Sequence, residues 1–183
     1  GTDGDDSFNI ATAATTTATG TDRVIAGAGN DTVTLNGSNI AALAAANTMV
    51  LDGGTGVNTL KLDGTGQTMD LTNATVAGKV KNFSIIDLTG TGNNTLKLDW
   101  QAANTLSGAA NVTTTAVNEA KLLVVNGNSG DAVQLANLSQ WTVGAAEAGD
   151  MLATQLGSQH GFTAGQSYKA YTLNGVTVYV NTA

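Results

Sequence analysis

The sequence predicts an all-β fold: a right-handed parallel β-roll or β-solenoid with irregular insertions that form short helices, and a C-terminal capping hairpin. Two observations predict this fold. A glycine-rich loop recurs five times along the 183 residues, and 42% of the residues are hydrophobic whereas only 4% are aromatic. Small aliphatic side chains suit a thin core that is built by stacking repeated units in one domain.

Each copy of the repeat contains a glycine turn, then Asp or Asn, one small residue and one apolar residue. Such a loop is typical of the nonapeptide unit of a parallel β-roll, in which the apolar residue points inward and Asp binds Ca²⁺. Two nonapeptides make a turn of about 18 residues, so the wider spacing here predicts an insertion in each turn. We expect the five loops to stack as one column. The five copies are residues 1–8, 27–33, 53–60, 90–96 and 127–133, with inward residues Phe8, Val33, Leu60, Leu96 and Val133.

The insertions and the C-terminal part have their own patterns. Residues 38–46 and 99–106 are predicted to form short helices, the second with Asp99 as its N-cap. Asn174-Gly175, between alternating residues, predicts a hairpin. Residues 1–140 are therefore predicted to form the solenoid, and residues 141–183 a cap that covers its open end.

Composition excludes several classes of function. The chain has 7 Lys and Arg residues against 14 Asp and Glu, and its net charge is −7, which disfavours a nucleic-acid-binding surface. The absence of cysteine excludes disulfides and thiolate metal sites. No apolar run approaches the ~20 residues that a membrane span needs.

The glycine loops are candidate calcium ligands. Ca²⁺ takes six to eight oxygen ligands, and glycine lets backbone carbonyls approach an ion. An ion between two stacked loops is best supported where both loops carry a carboxylate, as at Asp6 and Asp31. Asn58 and Asn94 offer an uncharged oxygen, so calcium binding and a purely structural Asn ladder both stay open there. The candidate ligands are Gly1, Asp3, Gly4, Asp6, Asp22, Gly27, Gly29, Asp31, Gly53, Gly56, Asn58 and Asp131.

The glycine loops, the histidine and the acidic residues could also have roles that do not involve calcium. Asp or Asn after glycine is most often a simple turn former. A phosphate-binding loop would need a Lys followed by Ser or Thr, which no loop here has. His160 is the single histidine and is predicted to be an ordinary loop residue. The acid pairs Asp5–Asp6 and Glu147–Asp150 fit surface charge or metal ligands better than a glycosidase, so the chain is predicted not to be an enzyme.

Two sets of motifs resemble a known family. "GTDGDDSF", "GTDRVIAGAGNDTV" and "LDGGTGVNTL" within residues 1–61 resemble RTX repeats, the calcium-dependent repeats of bacterial proteins that are exported by type I secretion. "SIIDLTGTGNNTLKL", "LLVVNGNSGDAVQL" and "YTLNGVTVYV" resemble the C-terminal region of giant RTX adhesins and related biofilm surface proteins. Together these motifs span most of the chain.

The resemblance implies a calcium-loaded, extracellular, non-enzymatic module that is structural or adhesive at the bacterial cell surface. Its expected cofactor is Ca²⁺, and its expected partners are a cell surface, extracellular matrix or polysaccharide. Two alternatives stay open. The first is a surface-layer or fibre subunit that self-associates through the solenoid ends. The second is a polysaccharide-binding module of a secreted enzyme, with Trp100, Trp141 and Tyr171 stacking on a neutral sugar.

Overall fold

The computed structural model describes residues 1–11, 23–45, 48–108 and 121–181. In these ranges the helices are α1 (Gly37–Ala44), α2 (Ala74–Ala77), α3 (Trp100–Leu106) and α4 (Gly149–Leu156). The strands are β1 (Ser7–Asn9), β2 (Arg23–Ile25), β3 (Thr32–Leu35), β4 (Val50–Asp52), β5 (Thr59–Leu62), β6 (Thr68–Asp70), β7 (Val80–Lys81), β8 (Ile85–Asp87), β9 (Thr95–Leu98), β10 (Lys121–Asn126), β11 (Ala132–Leu135), β12 (Thr142–Ala148), β13 (Ser167–Leu173) and β14 (Val176–Asn181).

Across the described ranges the fold is α/β, with one mixed sheet and two parallel sheets. The main sheet has eight strands in the order β1-β3-β5-β8-β10-β14-β13-β12, and its last two pairings are antiparallel. The second sheet, β11-β9-β6, and the third sheet, β2-β4-β7, each have three parallel strands. The prediction of an all-β, right-handed parallel β-roll or β-solenoid was therefore wrong. The described residues include four helices, one of them in the C-terminal part of the chain. Strand β14 joins β10 in parallel, and β13 and β12 then continue the main sheet by antiparallel pairing.

The apolar residues of the first three repeats lie in register, as predicted. Phe8 pairs with Val33, and Val33 pairs with Leu60, in the main sheet. Leu96 and Val133 pair with each other, but they belong to the second sheet. The single column of five loops was therefore a wrong prediction. After β5 the chain forms β6 and β7 in the other two sheets, and β8 then takes the place beside β5.

Two apolar clusters hold the sheets and helices together. Alternate residues of the short strands are buried in the larger cluster, where Leu35, Leu60 and Leu98 have no exposed surface. The smaller cluster lies at β10, whose apolar residues are buried on both faces because α4 and the aromatic residues Phe162, Tyr168 and Tyr179 cover one of them. Burial of apolar surface, which contributes about 25 cal/mol per Å² to the free energy of folding, is the main source of stability for this fold.

The local predictions at the insertions and the hairpin are confirmed. Helix α3 begins after Asp99, whose side chain accepts the Ala102 N–H at 2.7 Å. Helix α1 covers most of the predicted segment 38–46, of which residue 46 lies outside the described residues. Strands β13 and β14 form the predicted hairpin around Asn174 and Gly175, both of which have positive φ. Caps and hairpin turns depend on adjacent residues, so they follow directly from sequence.

Candidate cation site in the stacked loops

Three of the predicted glycine loops lie one above another. We call residues 1–6, 26–31 and 53–58, which precede β1, β3 and β5, the first loop stack. Direct backbone hydrogen bonds join the loops, from the Ala28 N–H to the Thr2 carbonyl at 3.1 Å and from the Thr55 N–H to the Gly27 carbonyl at 2.9 Å. The second and third loops approach each other so closely at Gly54 that a Cβ there would lie 1.9 Å from the Gly27 carbonyl oxygen. Gly54 also has φ +78°, a conformation that favours glycine. Glycine is therefore required at this position.

Side chains add a second set of contacts between these loops. We call Asp6, Asp31 and Asn58 the inner ladder. The Asp6 N–H donates to Asp31 Oδ1 at 2.8 Å, and the Asp31 N–H donates to Asn58 Oδ1 at 2.8 Å. Each of these two acceptor side chains thus reaches back to the preceding loop. Asp31 and Asn58 have no exposed surface, so these bonds are shielded from water.

The residues immediately before the inner ladder make the opposite contacts. We call Asp5 and Asn30 the outer ladder. The Asn30 N–H donates to Asp5 Oδ1 at 2.7 Å, and the Val57 N–H donates to Asn30 Oδ1 at 2.9 Å. These side chains reach forward to the following loop. This role was not predicted, although the adjacent pairs Asp5-Asp6 and Asn30-Asp31 place one residue of each ladder side by side in the sequence.

One buried carboxylate oxygen of the inner ladder has no hydrogen-bond partner in the described part of the chain. Asp31 Oδ2 is buried and makes no hydrogen bond with any described residue. The corresponding atom of Asn58, Nδ2, donates to the Asn82 carbonyl at 3.1 Å. Burying a carboxylate oxygen without a donor or a cation is costly. Asp31 Oδ2 is therefore the atom in this stack that most needs a positively charged partner.

Asp6 at the first loop has a different environment. Its Oδ2 accepts the Thr2 N–H at 2.6 Å and the Thr2 hydroxyl at 3.1 Å. The backbone hydrogen bond from Thr2 is the largest cause that holds the pKa of Asp6 below its ordinary value, against a smaller opposing effect of burial. The Asp6 carboxylate is thus already stabilised by its own loop.

The remaining predicted ligands of this stack lie around these two aspartates. Gly1 lies against the Ala26 carbonyl, and its terminal amine donates to the Ile25 carbonyl at 2.6 Å. Asp3 and Gly4 are exposed. Asp22 lies outside the described residues. The structure brings together in the first loop stack Gly1, Asp3, Gly4, Asp6, Gly27, Gly29, Asp31, Gly53, Gly56 and Asn58.

Asp131 belongs to a separate stack. We call residues 63–67, 90–94 and 127–131, which precede β6, β9 and β11, the second loop stack. Asn94 Oδ1 accepts the Gln67 N–H at 2.9 Å, and Asp131 Oδ1 accepts the Asn94 N–H at 2.7 Å. Asp131 Oδ2 accepts the Asn128 N–H at 2.8 Å. Both oxygens of Asp131 therefore have donors, and this residue does not join the other predicted ligands.

Calcium fits the donors of the first loop stack better than a transition metal does. In the described ranges, no three His, Cys, Asp or Glu side chains are grouped so that they could hold a metal ion. A cation at Asp31 would therefore take its other ligands from loop carbonyls, from the neighbouring acidic side chains or from water. Oxygen-only coordination of this kind suits Ca²⁺, whereas zinc prefers nitrogen and sulfur.

The single histidine is buried rather than part of an exposed loop surface. His160 ends a 3₁₀ turn (Ser158–His160) and is 1% exposed; its Nδ1 has no partner among the described residues. Burial lowers the pKa of His160 below its ordinary value. Burial therefore favours the neutral form of the imidazole.

His160 should make the protein sensitive to mild acid. Because its pKa is lower in the folded state, the unfolded chain takes up the proton first, and stability falls as the pH drops below about 6.5. We expect His160→Gln to lose less stability than the unsubstituted chain between about pH 7.5 and about pH 5 in urea unfolding. The carboxyl groups of Asp6 and Asp52, whose pKa values are lowered, titrate below this window. Equal losses in both proteins would contradict this role of His160.

Of the three aromatic residues considered for sugar stacking, one is buried and two are half-buried. Trp141 is 5% exposed, and its Nε1 donates to the Ala136 carbonyl at 3.1 Å. Trp100 and Tyr171 are half-buried and pack against the larger apolar cluster. These positions favour a role in packing over a role as a flat sugar-binding surface.

Comparison of the chain with protein-family models, with curated proteins and with solved structures gives no significant match. Among the described residues, no helix combines the length and the apolar character that crossing a membrane requires. Function is therefore inferred from the geometry of the loops and from the motifs of the sequence.

Proposed function

We propose that this chain is a calcium-stabilised, non-enzymatic structural and adhesive module of an extracellular, RTX-type bacterial surface protein. The observation that carries the proposal is the Asp31 carboxylate, which is buried between stacked glycine loops and has one oxygen without a hydrogen-bond partner among the described residues. The resemblance of residues 1–61 to RTX repeats supports calcium as the cation. The resemblance of the later motifs to adhesins supports the cell-surface setting.

A cation at Asp31 would stabilise the folded state directly. The carboxylate is held between loops by the N–H of Asp6, so an ion bound there would be bound only when the loops are stacked. Asp3, Asp5 and Asp6 lie in the adjacent loop and favour cation approach through their negative charge. An ion that binds only the folded state contributes about 2.7 kcal/mol when its free concentration is 100 times its Kd.

The use of the other loop side chains supports a structural role. Asp5, Asn30 and Asn58 accept backbone N–H groups from neighbouring loops. One oxygen of each of these side chains thereby holds one loop against the next. A surface that is fixed in this way suits a module that presents or supports binding regions, and we propose that its partners are a cell surface, extracellular matrix or polysaccharide.

Thermal unfolding with calcium and with a chelator tests the proposed function. We expect calcium to raise the Tm of the unsubstituted chain, magnesium to raise it much less, and Asp31→Ala to lose most of the calcium-induced rise. Asp131→Asn is the matched control, because both Asp131 oxygens already have donors, and it should keep the rise. A Tm that is the same in calcium and in chelator would contradict the proposal.

A further inference from the structure

We propose that the side-chain amides of Asn58 and Asn94 take the place of a bound cation, so that the loop stacks bind calcium at Asp31 alone. The identity of the cation at Asp31 rests on the proposed function. The replacement itself rests on the hydrogen bonds of the two asparagines. According to this proposal, the residue type at the position of Asp31, Asn58 and Asn94 decides whether a loop needs an ion.

The side chains at this position of the loops share one terminal atom, Oδ1, and differ in the other, which is Oδ2 in Asp and Nδ2 in Asn. In Asp31, Asn58 and Asn94, Oδ1 accepts the backbone N–H of a residue in the neighbouring loop. The second terminal atom differs. Nδ2 of Asn58 donates to the Asn82 carbonyl at 3.1 Å, and Nδ2 of Asn94 donates to the Leu88 carbonyl at 3.1 Å. Oδ2 of Asp31 has no partner among the described residues.

Asp and Asn have nearly the same shape but opposite hydrogen-bonding character at this second atom. An amide nitrogen donates to a backbone carbonyl, whereas an ionised carboxylate oxygen only accepts. A carboxylate oxygen facing the Asn82 or the Leu88 carbonyl would therefore need a cation between the two oxygens, whereas the amide nitrogen present there bonds the carbonyl directly. Asn58 and Asn94 have no exposed surface, so a carboxylate at either position would bury its second oxygen without a donor.

The other two carboxylates at this position have protein donors instead. Asp6 Oδ2 accepts the Thr2 N–H and hydroxyl, and Asp131 Oδ2 accepts the Asn128 N–H. All three bonds are formed inside the residue's own loop. Among the described residues, Asp31 is the carboxylate at this position that is buried with an oxygen lacking any donor. The second terminal atom at this position is therefore stabilised in one of three ways. An Asp oxygen accepts a donor of its own loop, an Asn nitrogen donates to a carbonyl, or, as we propose for Asp31, an Asp oxygen binds a cation.

Reciprocal substitutions test the replacement. Calcium stoichiometry is measured by calorimetry, and Tm is measured in chelator and in calcium, for the unsubstituted chain, Asp31→Asn and Asn58→Asp. We expect about one ion for the unsubstituted chain, about zero for Asp31→Asn and about two for Asn58→Asp. Asp31→Asn should have the same Tm in both conditions. Asn58→Asp should be less stable than the unsubstituted chain in chelator and should recover in calcium.

Asn93→Asp is the control for added charge, since Asn93 is exposed beside Asn94; it should change neither the stoichiometry nor the calcium-induced change in Tm. The replacement is wrong if Asn58→Asp is as stable as the unsubstituted chain in chelator and binds no further ion. It is also wrong if Asn58→Asp does not fold even in calcium, or if Asp31→Asn still binds an ion. If Asp31→Asn is more stable in chelator while the unsubstituted chain binds no calcium, the proposed function fails and the stabilising role of the amide stands.

Discussion

Replacing Gly54 by alanine is expected to lower the free energy of unfolding by about 3 kcal/mol or more. Gly54 has φ +78°, which is unfavourable for any residue with a Cβ. The added carbon would also lie 1.9 Å from the Gly27 carbonyl oxygen, which belongs to the neighbouring loop and accepts the Thr55 N–H. The two loops would have to separate, and the bonds between them would weaken. Urea unfolding measures the loss.

Gly66→Ala is the matched control for the backbone conformation alone. Gly66 has φ +69°, and a Cβ there would meet no atom within 4 Å. Its replacement should therefore cost only the conformational strain, about 1–2 kcal/mol. A similar loss in both variants would show that the close approach of the loops contributes little to stability.

Leu60→Ala is the second substitution with a large expected effect. Leu60 lies in β5, pairs with Val33 on one side and Ile86 on the other, and has no exposed surface. Its truncation removes buried apolar surface and leaves a cavity between strands of a sheet that has little freedom to collapse. The free energy of unfolding should fall by about 2–5 kcal/mol in urea unfolding.

Val143→Ala is the corresponding control on the surface. Val143 lies in β12 at the edge of the main sheet and is 46% exposed. Its truncation should change the free energy of unfolding by about 0.5 kcal/mol or less. If Leu60→Ala cost no more than Val143→Ala, the packing between the short parallel strands would not be the source of stability.

A repeated hexapeptide shows how far sequence predicts this fold. Asn-Thr-Leu-Lys-Leu-Asp occurs at residues 58–63 and again at 94–99. Both copies form a strand with the same alternation of buried and half-buried residues, β5 and β9. They nevertheless belong to different sheets. Local pattern therefore predicts the strand and its buried face, whereas the sheet that the strand joins depends on the segments that precede it.

The candidate site was predictable to a similar degree. The repeat predicts that Asp6 and Asp31 lie in neighbouring loops, and the Asp6 N–H does bond to Asp31 Oδ1. It does not predict that Asp131 lies in another stack, because that depends on the long-range assignment of β9 and β11 to the second sheet. Nor does it show that Asp31 Oδ2 lacks a donor among the described residues, because donors such as the Thr2 N–H depend on the path of the backbone in each loop.

The opposite directions of the inner and outer ladders have a consequence for how such a protein changes length during evolution. The middle loop receives one N–H from each neighbouring loop and gives one to each, through the adjacent residues Asn30 and Asp31. A whole loop with its strand can be duplicated or deleted, and the loops on either side still find matching groups. One residue inserted between Asn30 and Asp31 would instead misalign both ladders together. Related chains should therefore differ by complete repeats or by insertions outside the loops.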